Sequence, residues 1–128
     1  HGKYRADNPR FSSLVLDHEE LFAHDIEELP LEDRLIVLSS CESGLNDIVA
    51  GEEIIGLTRS FFAAGAGAIL MSLWRINDKM TTDFMKAFYS HLTAGNAVSS
   101  SLRMSQLELL SNGYHPYFWA PFTMSGRP

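Results

Sequence analysis

A three-layer α/β domain with a mostly parallel sheet is predicted by three features of this sequence. Leu35–Leu38 and Ala68–Trp74 are short, almost wholly apolar runs, the pattern of strands covered on both faces. Between and after them, apolar residues recur at steps of three and four, as on amphipathic helices. Glycine, proline and asparagine punctuate the boundaries. Alternation of buried strands with helices builds helices onto the faces of a parallel sheet.

In chain order, residues 1–10 read as loop, with Gly2, Asn8 and Pro9 as turn formers. Ser12–Leu16 alternates weakly and predicts a short edge strand or half a hairpin. His24–Leu29 can hold a short helix, which Pro30 ends. The strand at 35–40 leads through Cys41 into a polar loop over 42–51. Glu52–Ala64 reads as a helix, with Ile54, Leu57, Phe61 and Ala64 on one face and two glutamates at its positive end.

Gly65 and Gly67 end that helix before the second strand. A phosphate-binding loop needs the reverse order, strand then glycines then helix, so Gly65–Gly67 is a cap and turn, not a nucleotide site. Asn77 or Asp78 can cap the next helix, on which Met80, Phe84, Phe88 and Leu92 form a stripe. Gly95 stops it. Asn96 then caps a further helix, with Val98, Leu102, Leu109 and the Met104/Leu107 pair as inner candidates, up to Asn112-Gly113. The aromatic, proline-interrupted tail from Tyr117 to Met124 predicts a distorted or edge strand.

The 128 residues suit one domain or part of one. Hydrophobic residues at 45% and charged residues at 20% are those of a folded globular chain. The net charge of −6 argues against nucleic acid as the main partner. Half of the 16 acids lie between Asp17 and Asp33, as a solvated face or as a docking surface for a basic partner. One cysteine forms no internal disulfide, so nothing requires an oxidising compartment, and cytoplasm is the default. No membrane partner is expected either, since the longest apolar run, Phe61–Trp74, is shorter than a spanning helix.

Cys41 follows the first apolar strand, at the sheet edge where sites assemble in open parallel sheets. It is either a reactive thiol or a small buried hydrophobe. His1-Gly2 precedes it by 40 positions, a spacing of the type found in caspase-like peptidases.

Further ordered motifs accompany this pair. They are Asn8-Pro9 with Ser12, Leu14 and Leu16; Leu38-Ser39-Ser40-Cys41-Glu42-Ser43-Gly44; Gly51-Glu52 with Gly56-Leu57; and Ala64-Gly65-Ala66. After them come Ser72-Leu73-Trp74-Arg75-Ile76-Asn77-Asp78, Phe88-Tyr89, and His115-Pro116 with Trp119-Ala120 and Phe122. Together they resemble the second half of a CHAT domain, in the caspase and separase group of cysteine peptidases.

The resemblance implies a caspase-like sandwich, here truncated on its N-terminal side, so that residues 1–128 form a partial domain lacking the strands before the histidine. An opening on His1-Gly2 without methionine fits a piece of a longer protein. An apolar sheet edge is then left uncovered. It further implies a cysteine endopeptidase acting on a protein substrate without a cofactor or metal. Regulatory domains, often tetratricopeptide repeats, are implied in the parent chain, and the isolated fragment is expected to have little activity.

In that reading His1 is the acid–base and Cys41 the nucleophile. The N–H groups of Gly2 and Cys41 serve as oxyanion donors. Asp78 matches a position lining the pocket for the residue before the cut, where a carboxylate selects arginine or lysine; a helix N-cap is its structural alternative. Trp74 is a pocket wall or a core residue. Arg75 places a cation near the same pocket. Ser40 and Glu53 depart from the residues common in the family and replace neither His1 nor Cys41.

The alternative function is a caspase-like regulatory or scaffold module without turnover. A third is an unrelated α/β binding domain with a structural cysteine. His18 and His24, six apart, fall on different helix faces and do not make a metal pair. His115, before a proline, reads as structural.

Overall fold

The computed structural model describes residues 2, 3, 5, 7–38 and 56–127. Two three-stranded sheets organise them. The first is antiparallel: β1 (Gly2–Lys3), β2 (Ser13–Val15) and β3 (Glu20–Phe22) pair in sequence order, Leu14 lying opposite both Gly2 and Leu21. Of the two alternatives for Ser12–Leu16, half a hairpin is present and an edge strand is not, since β2 pairs on both sides. The opening residues also contribute a short strand where loop was expected.

A 3-10 turn at Pro9–Phe11 precedes the hairpin, and α1 (Ala23–Ile26) follows it. The N–H of Phe22 donates to the Asp25 carboxylate at 3.2 Å, which satisfies one of the free donors at the start of α1.

The second sheet runs β4 (Leu35–Leu38), β5 (Ala68–Ser72), β6 (Phe122–Gly126). Leu38 lies opposite Met71 in the parallel β4–β5 pair, and β6 joins β5 antiparallel. Residues 56–63 form helix α2 on the connection between β4 and β5. The remaining elements are α3 (Asp78–Thr93) and α4 (Val98–Ser111), with a 3-10 turn at Pro116–Phe118 before β6.

Alternation along the strands assigns their side chains to two cores. Ile69 and Met71, with Ile36 and Leu38 beside them, pack against Leu57 and Phe61 of α2 and against Ala23 and Ile26 of α1. Leu70, with Leu35 and Val37, packs on the other face against Met80, Phe84 and Phe88 of α3, Leu109 of α4, and Phe122. The fold is α/β, with helices on both faces of a mixed sheet. All of β5 is buried, whereas the four residues of β4 are only half-buried. Among the described residues β4 has a strand neighbour on one side only.

Phe84 and Phe122 hold α3 to β6. Their rings are stacked with centroids 3.7 Å apart and planes 5° from parallel. Met80, Phe84 and Phe88 of the expected stripe are buried, and Leu92 packs on the same core.

On α4 the inner face differs from expectation. Ser101, Ser105 and Leu109 are buried, while Met104 and Leu107 are exposed at 39% and 48%. The buried hydroxyls are satisfied within the helix: Ser101 donates to the Ala97 carbonyl at 2.9 Å and Ser105 to the Ser101 carbonyl at 2.7 Å. Val98, Leu102 and Leu109 face the core as expected, small side chains on that face let the helix lie close, and of the expected inner positions only Met104 and Leu107 point outward.

Gly65 ends α2 at φ +93°, a conformation in which a Cβ is strained. Its N–H bonds to the Phe62 carbonyl and that of Ala66 to the Phe61 carbonyl, the paired bonds of a Schellman cap. Gly95 and Gly113 close α3 and α4 with the same pair of bonds. Asn96, expected as a cap, lies one residue too early. Ala97 holds the cap position, and the Asn96 side chain donates to the His91 carbonyl at 2.8 Å. Gly126 has a different reason to be glycine: a Cβ there would lie 2.4 Å from the Gly67 carbonyl oxygen.

Candidate functional site

Parallel pairing brings the carboxyl ends of β4 and β5 to one edge of the sheet. From β4 the chain continues into Ser39-Ser40-Cys41, three positions beyond Leu38. From β5 it continues directly into the segment Leu73–Asp78. His1 and Cys41 lie outside the described residues. Gly2, the expected oxyanion donor, is in β1 opposite Leu14.

The segment after β5 is fixed from several directions. The strand stops at Ser72, two residues before the expected end at Trp74, because the Ser72 hydroxyl donates to the Trp74 carbonyl at 2.6 Å and closes a turn. Leu73 N–H donates to the Pro121 carbonyl at 3.0 Å. The Trp74 indole N–H donates to the Tyr117 carbonyl at 3.0 Å, and the Tyr117 hydroxyl donates to the Arg75 carbonyl, also at 3.0 Å. The two rings are 5.9 Å apart and tilted by 34°. Tyr117 is itself held by the turn at 116–118, where its N–H donates to Nδ1 of His115 at 3.2 Å. His115 thus caps a turn.

A cleft of about 490 Å³ opens beside this segment, lined by Arg75, Ile76, Asn77, Asp78, Tyr117 and Phe118. Asp78 lies in it as the first residue of α3. The N-cap is Asn77, whose side-chain oxygen accepts from the Met80 N–H at 2.9 Å. That division of labour leaves the Asp78 carboxylate available to a ligand while adding negative charge at the positive helix end. Trp74, 38% exposed, adjoins the cleft through Tyr117. Arg75 and Asp78 give the lining one cation and one anion.

Sequence reading singled out Asp78, Trp74 and Arg75 but missed Tyr117 and Phe118. The signal for them was the aromatic tail, whose partners lie more than forty residues away and so leave no local pattern.

The acidic stretch is in part internally paired. Glu20 meets Lys3, Glu27 accepts from the Ser60 hydroxyl at 3.2 Å, and Asp33 pairs with Arg127 at 2.9 Å. The Lys3 and Ser13 hydrogen bonds hold the Glu20 carboxyl below its usual range. His18 lies beside Asp17, whereas the His24 ring stacks on Phe22 with centroids 5.6 Å apart. Among the described residues no group of three or more His, Cys, Asp or Glu is placed to hold a metal ion, and no helix is long and apolar enough to cross a membrane.

Comparison with known proteins adds three matches. The family model for the CHAT domain matches residues 1–127. Tetratricopeptide repeat protein 28 of Mus musculus is 38% identical over 123 residues, covering 94% of this chain and 5% of that protein. The protein of the same name from Homo sapiens is 35% identical over 127 residues, covering 98% of this chain and 5% of its own length. The chain therefore spans about one-twentieth of the curated relatives it matches.

Proposed function

This chain belongs to the CHAT-domain family, a caspase-like peptidase family, and from that membership we propose that it is a cysteine endopeptidase domain cleaving a protein substrate. Cys41 is the nucleophile and His1 the acid–base. A thiol near its ordinary pKa of about 8.5 is mostly protonated at neutral pH, so the reaction needs the imidazole to take its proton. The Sγ lone pair then forms a bond to the scissile carbonyl carbon, and the negative charge moves to the carbonyl oxygen. The N–H groups of Gly2 and Cys41 receive that charge. Collapse breaks the C–N bond as His1 returns the proton to the leaving amine. Water, deprotonated by His1, then cleaves the thioester, releasing the acid and the thiol.

Asp78 supplies selectivity in this reading. A carboxylate in this cleft, beside the apolar surfaces of Ile76 and Phe118, favours the cationic end of arginine or lysine before the cut. Tetratricopeptide repeats of the kind named in the relatives regulate the domain in its parent chain, which works in the cytoplasm.

The observation that carries the reading is the shared edge. Parallel β4 and β5 end side by side, one leading to Cys41 in sequence and the other into the cleft with Asp78. The test is cleavage of a peptide library by the protein carrying this chain, beside its Cys41→Ala and His1→Ala variants. Cleavage after basic residues that both substitutions abolish, with folding retained, supports the reading. Equal cleavage by Cys41→Ala would falsify it, and no cleavage by any form favours a scaffold module.

A further inference from the structure

Tyr117 is 50% exposed, yet it is engaged at both ends across more than forty residues of sequence. Its carbonyl accepts from the Trp74 indole and its hydroxyl donates to the Arg75 carbonyl, both at 3.0 Å. These bonds hold the chain where it enters the segment Arg75–Asp78, which forms one side of the cleft. On the other side Tyr117 and Phe118 are themselves lining residues. An aromatic that only covered a core would be buried, and one that only met solvent would make neither bond.

We infer that Tyr117 is a positioning residue for the cleft. It fixes the Trp74 ring and the Arg75 carbonyl, and so sets the separation between the Asp78 carboxylate and the Tyr117–Phe118 wall. The cleft is then shaped for a long side chain with an apolar stem and a cationic head, the stem against Ile76 and Phe118 and the head at Asp78. The same bond holds Arg75, the cation in the lining, by its own carbonyl. Losing it frees the segment to rearrange.

This inference rests on Asp78 as the recognition carboxylate, but not on any chemistry at Cys41. Its test is accordingly a binding measurement on the full parent protein carrying Cys41→Ala, which removes turnover. N-acetyl-arginine methylamide and its uncharged citrulline counterpart are the probes, with the signals of residues 75–78 and 117–118 followed by NMR.

The arginine probe is expected to bind more tightly than the citrulline probe, and Asp78→Asn to erase the difference. Tyr117→Phe keeps the ring and removes one hydrogen bond. It should weaken the arginine probe by roughly three- to tenfold, weaken the citrulline probe by less, and shift the unfolding midpoint no more than the loss of one exposed hydrogen bond does.

Wild-type affinity in Tyr117→Phe overturns the inference, as does equal weakening of both probes or the lack of any arginine preference in the parent. Because none of these readouts needs turnover, failure of the peptidase reading would show separately, as absent cleavage with the binding pattern intact.

Discussion

Replacing Phe84 by alanine tests how the fold supports the site. Phe84 is fully buried and stacked on Phe122, joining α3, which starts at the cleft, to β6, which follows the Tyr117 turn. Removing its ring forfeits about 2–3 kcal/mol of transfer free energy. A residual cavity of roughly 80 Å³ adds about 2 kcal/mol at about 24 cal/mol per Å³. The sum, about 4–5 kcal/mol, reaches the upper end of the range for phenylalanine truncations in cores.

Domains of this size have about 5–15 kcal/mol in total, so Phe84→Leu, at about 1–2 kcal/mol, is the milder companion. Leu107→Ala on the exposed face of α4 is the control, expected within about 0.5 kcal/mol of the parent. Urea unfolding followed by circular dichroism reads all three. Similar midpoint shifts for Phe84→Ala and Leu107→Ala would refute the assignment of the inner and outer faces.

Asn77→Ala should lower stability by about 1 kcal/mol through the lost cap on Met80 N–H, and Asn77→Ser should recover most of it; denaturant midpoints decide, and an unchanged Asn77→Ala would place the helix start elsewhere. Glu20 provides the pH dependence. Its carboxyl titrates lower in the folded state than its unfolded value of about 4.3. The stability it contributes is therefore present above that value and lost as the pH falls through the folded pKa. Glu20→Gln should unfold more easily than the parent near pH 6 and match it once the pH is well below about 4. A difference that persisted at low pH would show that the carboxylate bonds to Lys3 and Ser13 are not its cause.

Much of this arrangement is legible in the sequence because it is written in local periodicity. The aliphatic run at 35–38 and the run from Ala68 appear as paired strands, and the four-residue steps from Met80 to Leu92 face the core. Glycines end the helices where backbone chemistry requires. The misreadings have two causes: polar side chains that satisfy themselves locally, and partners distant in sequence. Met104 and Leu107 look like core residues, but the second helix is seated by Ser101 and Ser105, whose hydroxyls are satisfied by the helix itself. A strand of two residues, Gly2–Lys3, has no pattern of its own and exists because Ser13 and Leu14 pair with it. At the cleft, Asp78 was visible from its motif, whereas Tyr117 reaches it by bonds to Trp74 and Arg75.

The central claim is that Cys41 and His1 act as a dyad, and the most direct test is the rate of alkylation of Cys41 by iodoacetamide as a function of pH. A working dyad predicts an apparent thiol pKa below the ordinary value of about 8.5, returning to it in His1→Ala. A value at or above 8.5, the same with and without the imidazole, would contradict the claim.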